Sequence, residues 1–208
     1  MNQTPHTENE IQAEPRRKGA FTLLAGLFDY VEIVAVSLIA VLLIFTFCAR
    51  LCTVDGSSMK NTLQDTELLV TSNLFYEPEQ GDIVVFHLVN ESFSKPLVKR
   101  VIATEGQEIL IDLDDKEVFI DGVLLDEPYV YLDTGIYNPN GYFNRQKLSK
   151  DEDGHTVFKD TVPEGKIFVM GDNRNHSTDS RSAAVSMVDE DCVIGKAILR
   201  LKPFAIFD

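Results

Sequence analysis

From Ile33 to Ala49 the chain reads IVAVSLIAVLLIFTFCA, seventeen residues without a charge. No other segment limits so strongly what the chain can become. At about 1.5 Å of rise per helical residue, this run together with Tyr30, Val31 and Leu51 approaches the roughly 30 Å of hydrocarbon in a bilayer. Its apolar character runs all round instead of along one stripe, and Glu32 and Arg50 bracket it near the interfaces. The pattern predicts one transmembrane helix over 30–51. A helix buried in a soluble core is the alternative. A cleaved signal peptide fits less well, because its apolar core is about 7–15 residues long and ends in small residues. This one is longer and ends in Thr46, Phe47, Cys48, Ala49 and Arg50.

Residues 1–29 form an N-terminal tail whose first twenty residues have little to bury and end in the basic cluster Arg16, Arg17 and Lys18. These bases lie within about 15–20 residues of the span, whereas its far side offers only Arg50, so the positive-inside rule places the tail in the cytoplasm. Residues 52–208 then form an extracytoplasmic body. From Arg50 onward the chain has 16 basic and 28 acidic residues. That charge argues against docking on anionic lipid and, with a net charge of −14 for the whole chain, against phosphate-backbone recognition. Nucleic acid is excluded as a partner, while the lipid bilayer is expected as one. The three cysteines, Cys48, Cys52 and Cys192, have no Cys-x-x-Cys spacing, so neither a disulfide framework nor a four-ligand zinc site is expected.

Beyond the span, short runs rich in Val, Ile and Phe alternate with turn signals: 67–72, 82–88, 97–103, 108–113, 117–120, 166–170 and 193–201. Their length and bounding Gly, Pro and Asp residues predict strands and a mainly β body. The polar stretch 133–160 contains Asn138-Pro139-Asn140-Gly141 and Asp151-Glu152-Asp153-Gly154. It reads as loops on a subdomain inserted at about 105–162.

Three patches carry reactive side chains. The first, Val54 to Leu63, contains Ser57 and Ser58. A serine needs a base to become a nucleophile. The second, Pro96 to Ala103, can supply one: strand alternation puts Lys99 on a dry face with Leu97, Val101 and Ala103. Desolvation disfavours the ammonium, and a lysine brought to a pKa of roughly 7–8 is a general base near neutrality. Arg100, on the opposite face, keeps its charge and must find a carboxylate or water. The third patch, Met170 to Arg181, is a dense polar loop following an apolar strand.

In this order behind an N-terminal anchor, the three patches resemble the bacterial type I signal peptidases, membrane-bound serine endopeptidases with a Ser-Lys dyad. Gly56-Ser57-Ser58-Met59-Lys60-Asn61-Thr62-Leu63 is similar to the family's Gly-x-Ser-Met-x-Pro-Thr-Leu stretch. Gly81 to Phe86 looks like its structural strand motif, Lys99-Arg100-Val101-Ile102 like its Lys-Arg-Val-Ile run, and Gly171 to Arg181 like its last motif. The resemblance implies a signal-peptidase-like β-sheet catalytic body with an inserted β/loop subdomain after one transmembrane helix. It implies Ser58 as nucleophile and Lys99 as general base, with Met59 contacting substrate. Gly56, Ser177, Asp179 and Arg181 support the site, Ser177 by hydrogen-bonding the lysine and Asp179 and Arg181 by holding the site together. The implied substrates are exported preproteins whose signal peptides end in an Ala-x-Ala-like sequence, and the reaction uses no cofactor and no metal. Asn61 departs from the pattern, standing where the family usually has proline. Gly56 occupies a position where some relatives place an oxyanion serine, which leaves the Ser58 backbone N–H and one unidentified donor.

Other readings have less behind them. His87 and His176 could serve a Ser-His-Asp hydrolase, but no Gly-x-Ser-x-Gly elbow occurs. Ser57-Ser58-Met59-Lys60 satisfies Ser-x-x-Lys, yet the companion Ser-Asp-Asn and Lys-Thr-Gly motifs of penicillin-binding proteins are absent. A catalytically silent, membrane-anchored secretion partner is the alternative from another class, and the presence of both Ser58 and Lys99 speaks against it.

Overall fold

The structure is a computed structural model that describes residues 17–47, 49–88, 93–132 and 143–207. Helix α1 spans Arg17–Phe47, and within it Gly26–Ile44 is 19 residues long with a mean hydropathy of 2.4, long and apolar enough to cross a membrane. Two boundaries differ from the expected 30–51. The helix starts earlier because Ala20, Leu23, Leu24 and Ala25 are good helix formers that extend the apolar run. It stops earlier because Arg50 and Leu51 already belong to a strand.

The body is mainly β. In chain order its strands are β1 (Arg50–Thr53), β2 (Leu68–Ser72), β3 (Ile83–Phe86), β4 (Leu97–Ala103), β5 (Glu108–Asp112), β6 (Glu117–Ile120), β7 (Val123–Leu124), β8 (Leu148–Lys150), β9 (Thr156–Thr161), β10 (Lys166–Met170), β11 (Val188–Asp189), β12 (Val193–Leu201) and β13 (Phe204–Ile206). One sheet has the order β1-β2-β12-β3-β4-β10-β11, with β13 also paired to β12; the other is β7-β6-β5-β9-β8.

Strand β4 lies inside the larger sheet, its Lys99 opposite Val84 and its Arg100 opposite Ile83 on one side and Met170 on the other. From Lys99 to Ala103 every residue is buried, so both faces of this strand are dry, and not only the Lys99 face that alternation suggested. Ile102 and Ala103 of β4 and Phe168 and Met170 of β10 pack with Ile109, Ile111 and Phe158 from the smaller sheet, joining the two sheets through one core. Phe158 bridges this contact, its ring 5.8 Å from those of both Phe143 and Phe168.

The 133–160 stretch is not all loop. Leu148 pairs with Phe158 and Lys150 with Thr156, making β8 and β9 an edge hairpin. Ser149, Lys150, Lys159 and Thr161 are exposed while Val157 and Phe158 are buried, and the exposed polar residues gave the segment its loop-like composition. The tail to Arg16 and the Asn138-Pro139-Asn140-Gly141 turn lie outside the described residues.

Candidate active site

After β1 the chain enters a tight turn, with Lys60 N–H donating to Ser57 O (3.2 Å) and Leu63 N–H to Met59 O (2.8 Å). Met59 anchors this turn. It is 1% exposed and packs with Val54, Leu63, Leu69, Ile83 and Ala197. The turn is clamped from the third patch as well: Asn173 donates from its backbone N–H to Ser58 O and from Nδ2 to Ser57 O, each at 3.0 Å.

The half-buried Ser58 thereby meets the side chain of Lys99 from β4. Lys99 Nζ lies 2.8 Å from Ser58 Oγ and 2.8 Å from Val98 O. Burial pushes the lysine pKa down from 10.5 to about 8. Asp179 and Asp172 oppose that shift and Arg181 reinforces it, but desolvation dominates. A neutral amine at this place has one lone pair for a serine proton and keeps an N–H for Val98 O. The arrangement therefore suits proton abstraction from Ser58.

The other expected residues are distributed around this pair. Asp179 takes Nε and one terminal nitrogen of the fully buried Arg181 at 2.7 and 2.8 Å and the Gly171 N–H at 2.9 Å. Burial alone would raise the Asp179 carboxyl; Arg181 and these donors outweigh it and hold the carboxyl low. Ser177 is buried and its hydroxyl helps to keep Asp179 ionised; among the described residues no hydrogen bond joins it to Lys99. Gly171 explains how closely this hydroxyl is packed: a Cβ there would lie 2.2 Å from Ser177 Oγ and 2.5 Å from Ser58 O. Gly56 is exposed, with φ at +96°, and its N–H is already engaged by Asp65 Oδ1 at 2.7 Å. Asn61 is exposed.

Several site residues had no role assigned from the sequence. Asp172 accepts a two-pronged interaction from Arg100 (2.9 and 2.7 Å) and a hydrogen bond from Thr62 Oγ1, tying all three patches to one carboxylate. Arg100 also reaches Gly81 O at 2.7 Å and stacks 3.9 Å from the Tyr129 ring. Buried Arg174 forks onto Glu127. The signal for Glu127 and Tyr129 was indirect: an arginine motif in a buried loop demands carboxylates, but nothing in the linear pattern says which ones. The hydrogen-bond partner of Ser58 Oγ is Lys99 Nζ. Among the described residues, Asp112, Asp151 and His155 hold ligand atoms within 4.8 Å of one another and could accept a metal ion. Asp112 ends β5, Asp151 and His155 lie in the loop between β8 and β9, and His155 Nδ1 and Asp112 Oδ2 are already bonded at 2.8 Å.

Residues 27–202 match the family described as signal peptidase, peptidase S26. The chain belongs to that family. It is a hydrolase of the signal peptidase I type, a serine endopeptidase. Signal peptidase IB of Staphylococcus aureus is 31% identical over 186 residues, covering 87% of this chain and 92% of the relative. Signal peptidase I T of Bacillus subtilis is 31% identical over 183 residues, covering 85% and 86%. A crystal structure of a signal peptidase I from Enterococcus faecalis matches with a TM-score of 0.42 and 26% identity, over 58% of this chain and 97% of that one.

Proposed function

We propose that this signal peptidase family member is a membrane-anchored enzyme that removes signal peptides from exported preproteins through a Ser58–Lys99 dyad. The observation that carries the reading is the 2.8 Å separation between Ser58 Oγ and a buried lysine whose charge is disfavoured. Neutral Lys99 takes the Ser58 proton as Oγ attacks the scissile carbonyl. The tetrahedral intermediate expels the new N-terminal amine, which receives that proton, and leaves a serine ester. Water, deprotonated in turn by Lys99, hydrolyses the ester and frees Ser58. No cofactor enters these steps. Asp179 and Arg181 neutralise each other beside the dyad and keep its surroundings fixed.

In this reading α1 is the anchor, the basic triplet at residues 16–18 stays cytoplasmic, and the body is extracytoplasmic. Ser58 follows Ala49 by only nine residues, so the anchor keeps the dyad near the membrane surface where the Ala-x-Ala-like end of a signal peptide emerges. The test is N-terminal sequencing of the product after detergent-solubilised protein meets a secretory preprotein, beside Ser58→Ala and Lys99→Ala. Cleavage after an Ala-x-Ala-like end, absent in both variants, supports the reading. Failure of folded wild type to cut any of several preproteins moves the assignment to a silent secretion partner.

A further inference from the structure

A cavity of about 520 Å³ opens where the two chain segments leading into the dyad face each other. One wall is β1 and the residues after it, the other is the start of β4, and both are largely apolar, with Leu51, Val54 and Val98 among the lining side chains. Among the described residues that line it, three carry charge: Asp55, Asp65 and Lys95. Lys95 Nζ and Asp55 Oδ2 are 2.5 Å apart, joining the walls across a sequence separation of 40 residues. Both side chains remain largely exposed, at 74% and 68%. An ion pair in that much water is weak and opens readily.

We propose that Asp55 and Lys95 form an openable strap across this cleft, and that Asp55, released when the strap opens, selects a basic side chain in the bound polypeptide. The proposal rests on the signal peptide cleavage reading of the same site. The direction of selection follows from the lining charges. With the strap open, two carboxylates face one ammonium. A substrate cation exchanges with Lys95 on Asp55 and also feels Asp65. A substrate anion exchanges with Asp55 on Lys95 and is repelled by both carboxylates. Asp65 is partly committed to the Gly56 N–H, so Asp55 is the carboxylate free to move.

The test uses full-length protein in detergent micelles and preproteins identical except for Lys, Gln or Glu placed in turn at each of the five positions before the scissile bond. At one position or more, Lys should exceed Glu in kcat/KM by about threefold, the scale of an exposed ion pair. The difference should sit mainly in KM and collapse in 1 M salt, where the screening length is about 3 Å. Lys95→Gln, which frees Asp55 permanently, should enlarge the preference, and Asp55→Asn should abolish it. Cleavage of the Gln series with no charge preference at any position, or a preference that survives Asp55→Asn, overturns the strap and leaves the cleavage reading standing. No cleavage of any preprotein overturns both.

Discussion

Lys99 and Arg100 are neighbours in β4 and both are buried, yet the two faces of the strand treat their charges in opposite ways. Arg100 is met by the Asp172 carboxylate, the Gly81 carbonyl and the Tyr129 ring. Lys99 is met by a neutral hydroxyl and a backbone carbonyl, with the nearest ion pair, Asp179–Arg181, satisfied internally. Burial with a matched carboxylate keeps a cation charged and structural, whereas burial without one lowers the pKa and makes a base. The strand thus separates scaffold from chemistry within a step of one residue.

The sharpest way to break this contrast is Lys99→Arg, which keeps a cation but cannot release its proton. Preprotein cleavage should fall on the order of 10³-fold, with the folded state intact by circular dichroism. Next is Arg100→Met, which strands the Asp172 carboxylate; urea unfolding should show a loss of about 3–5 kcal/mol. Adding Asp172→Asn should recover part of it.

Lys99→Met should do the reverse and stabilise the protein by up to about 3 kcal/mol at pH 7, the free-energy equivalent of the lowered pKa. The sign follows from linkage. Because the folded pKa, about 8, lies below the ordinary 10.5, folded and unfolded chains are both protonated below pH 8 and the native state bears the full desolvation cost. Between pH 8 and 10.5 the unfolded chain binds the extra proton, wild-type stability rises, and the advantage of the Met variant disappears. Gly171→Ala should have the smallest effect on stability, a loss of about 1–3 kcal/mol, since its Cβ must displace Ser177 or Ser58 O. It should nonetheless reduce cleavage, because the displaced carbonyl belongs to the residue that carries Oγ.

Much of the larger sheet is legible in the sequence because β3 and β10 are buried along most of their length and read as apolar runs. The 97–103, 166–170 and 193–201 runs coincide with β4, β10 and β12 of that sheet, and 117–120 with β6 of the smaller one. Three other strands were hidden: β8 and β9 look like loop, and β1, with Arg50, Leu51 and Thr53 exposed, looks like the end of the span. Around the dyad, a buried lysine beside a serine motif could be read from composition, alternation and family resemblance. The partners Glu127, Tyr129 and Asp172 could not, because pairing across 47 or 72 residues is set by how the sheets pack. Met59 is legible as a motif neighbour of the nucleophile, but its packing in the core with Val54, Leu63 and Leu69 is set by the fold.

The central claim is that Lys99 is a base because it is buried without a counter-charge. Its Nζ can be titrated by ¹⁵N-lysine NMR in the full-length protein, assigned with Lys99→Met, and compared with the pH dependence of kcat/KM for preprotein cleavage. The account predicts a single titration near pH 8 in both, with activity lost as acid protonates the amine. An Nζ that titrates near 10.5, or a rate unchanged from pH 9 down to pH 5, would contradict it.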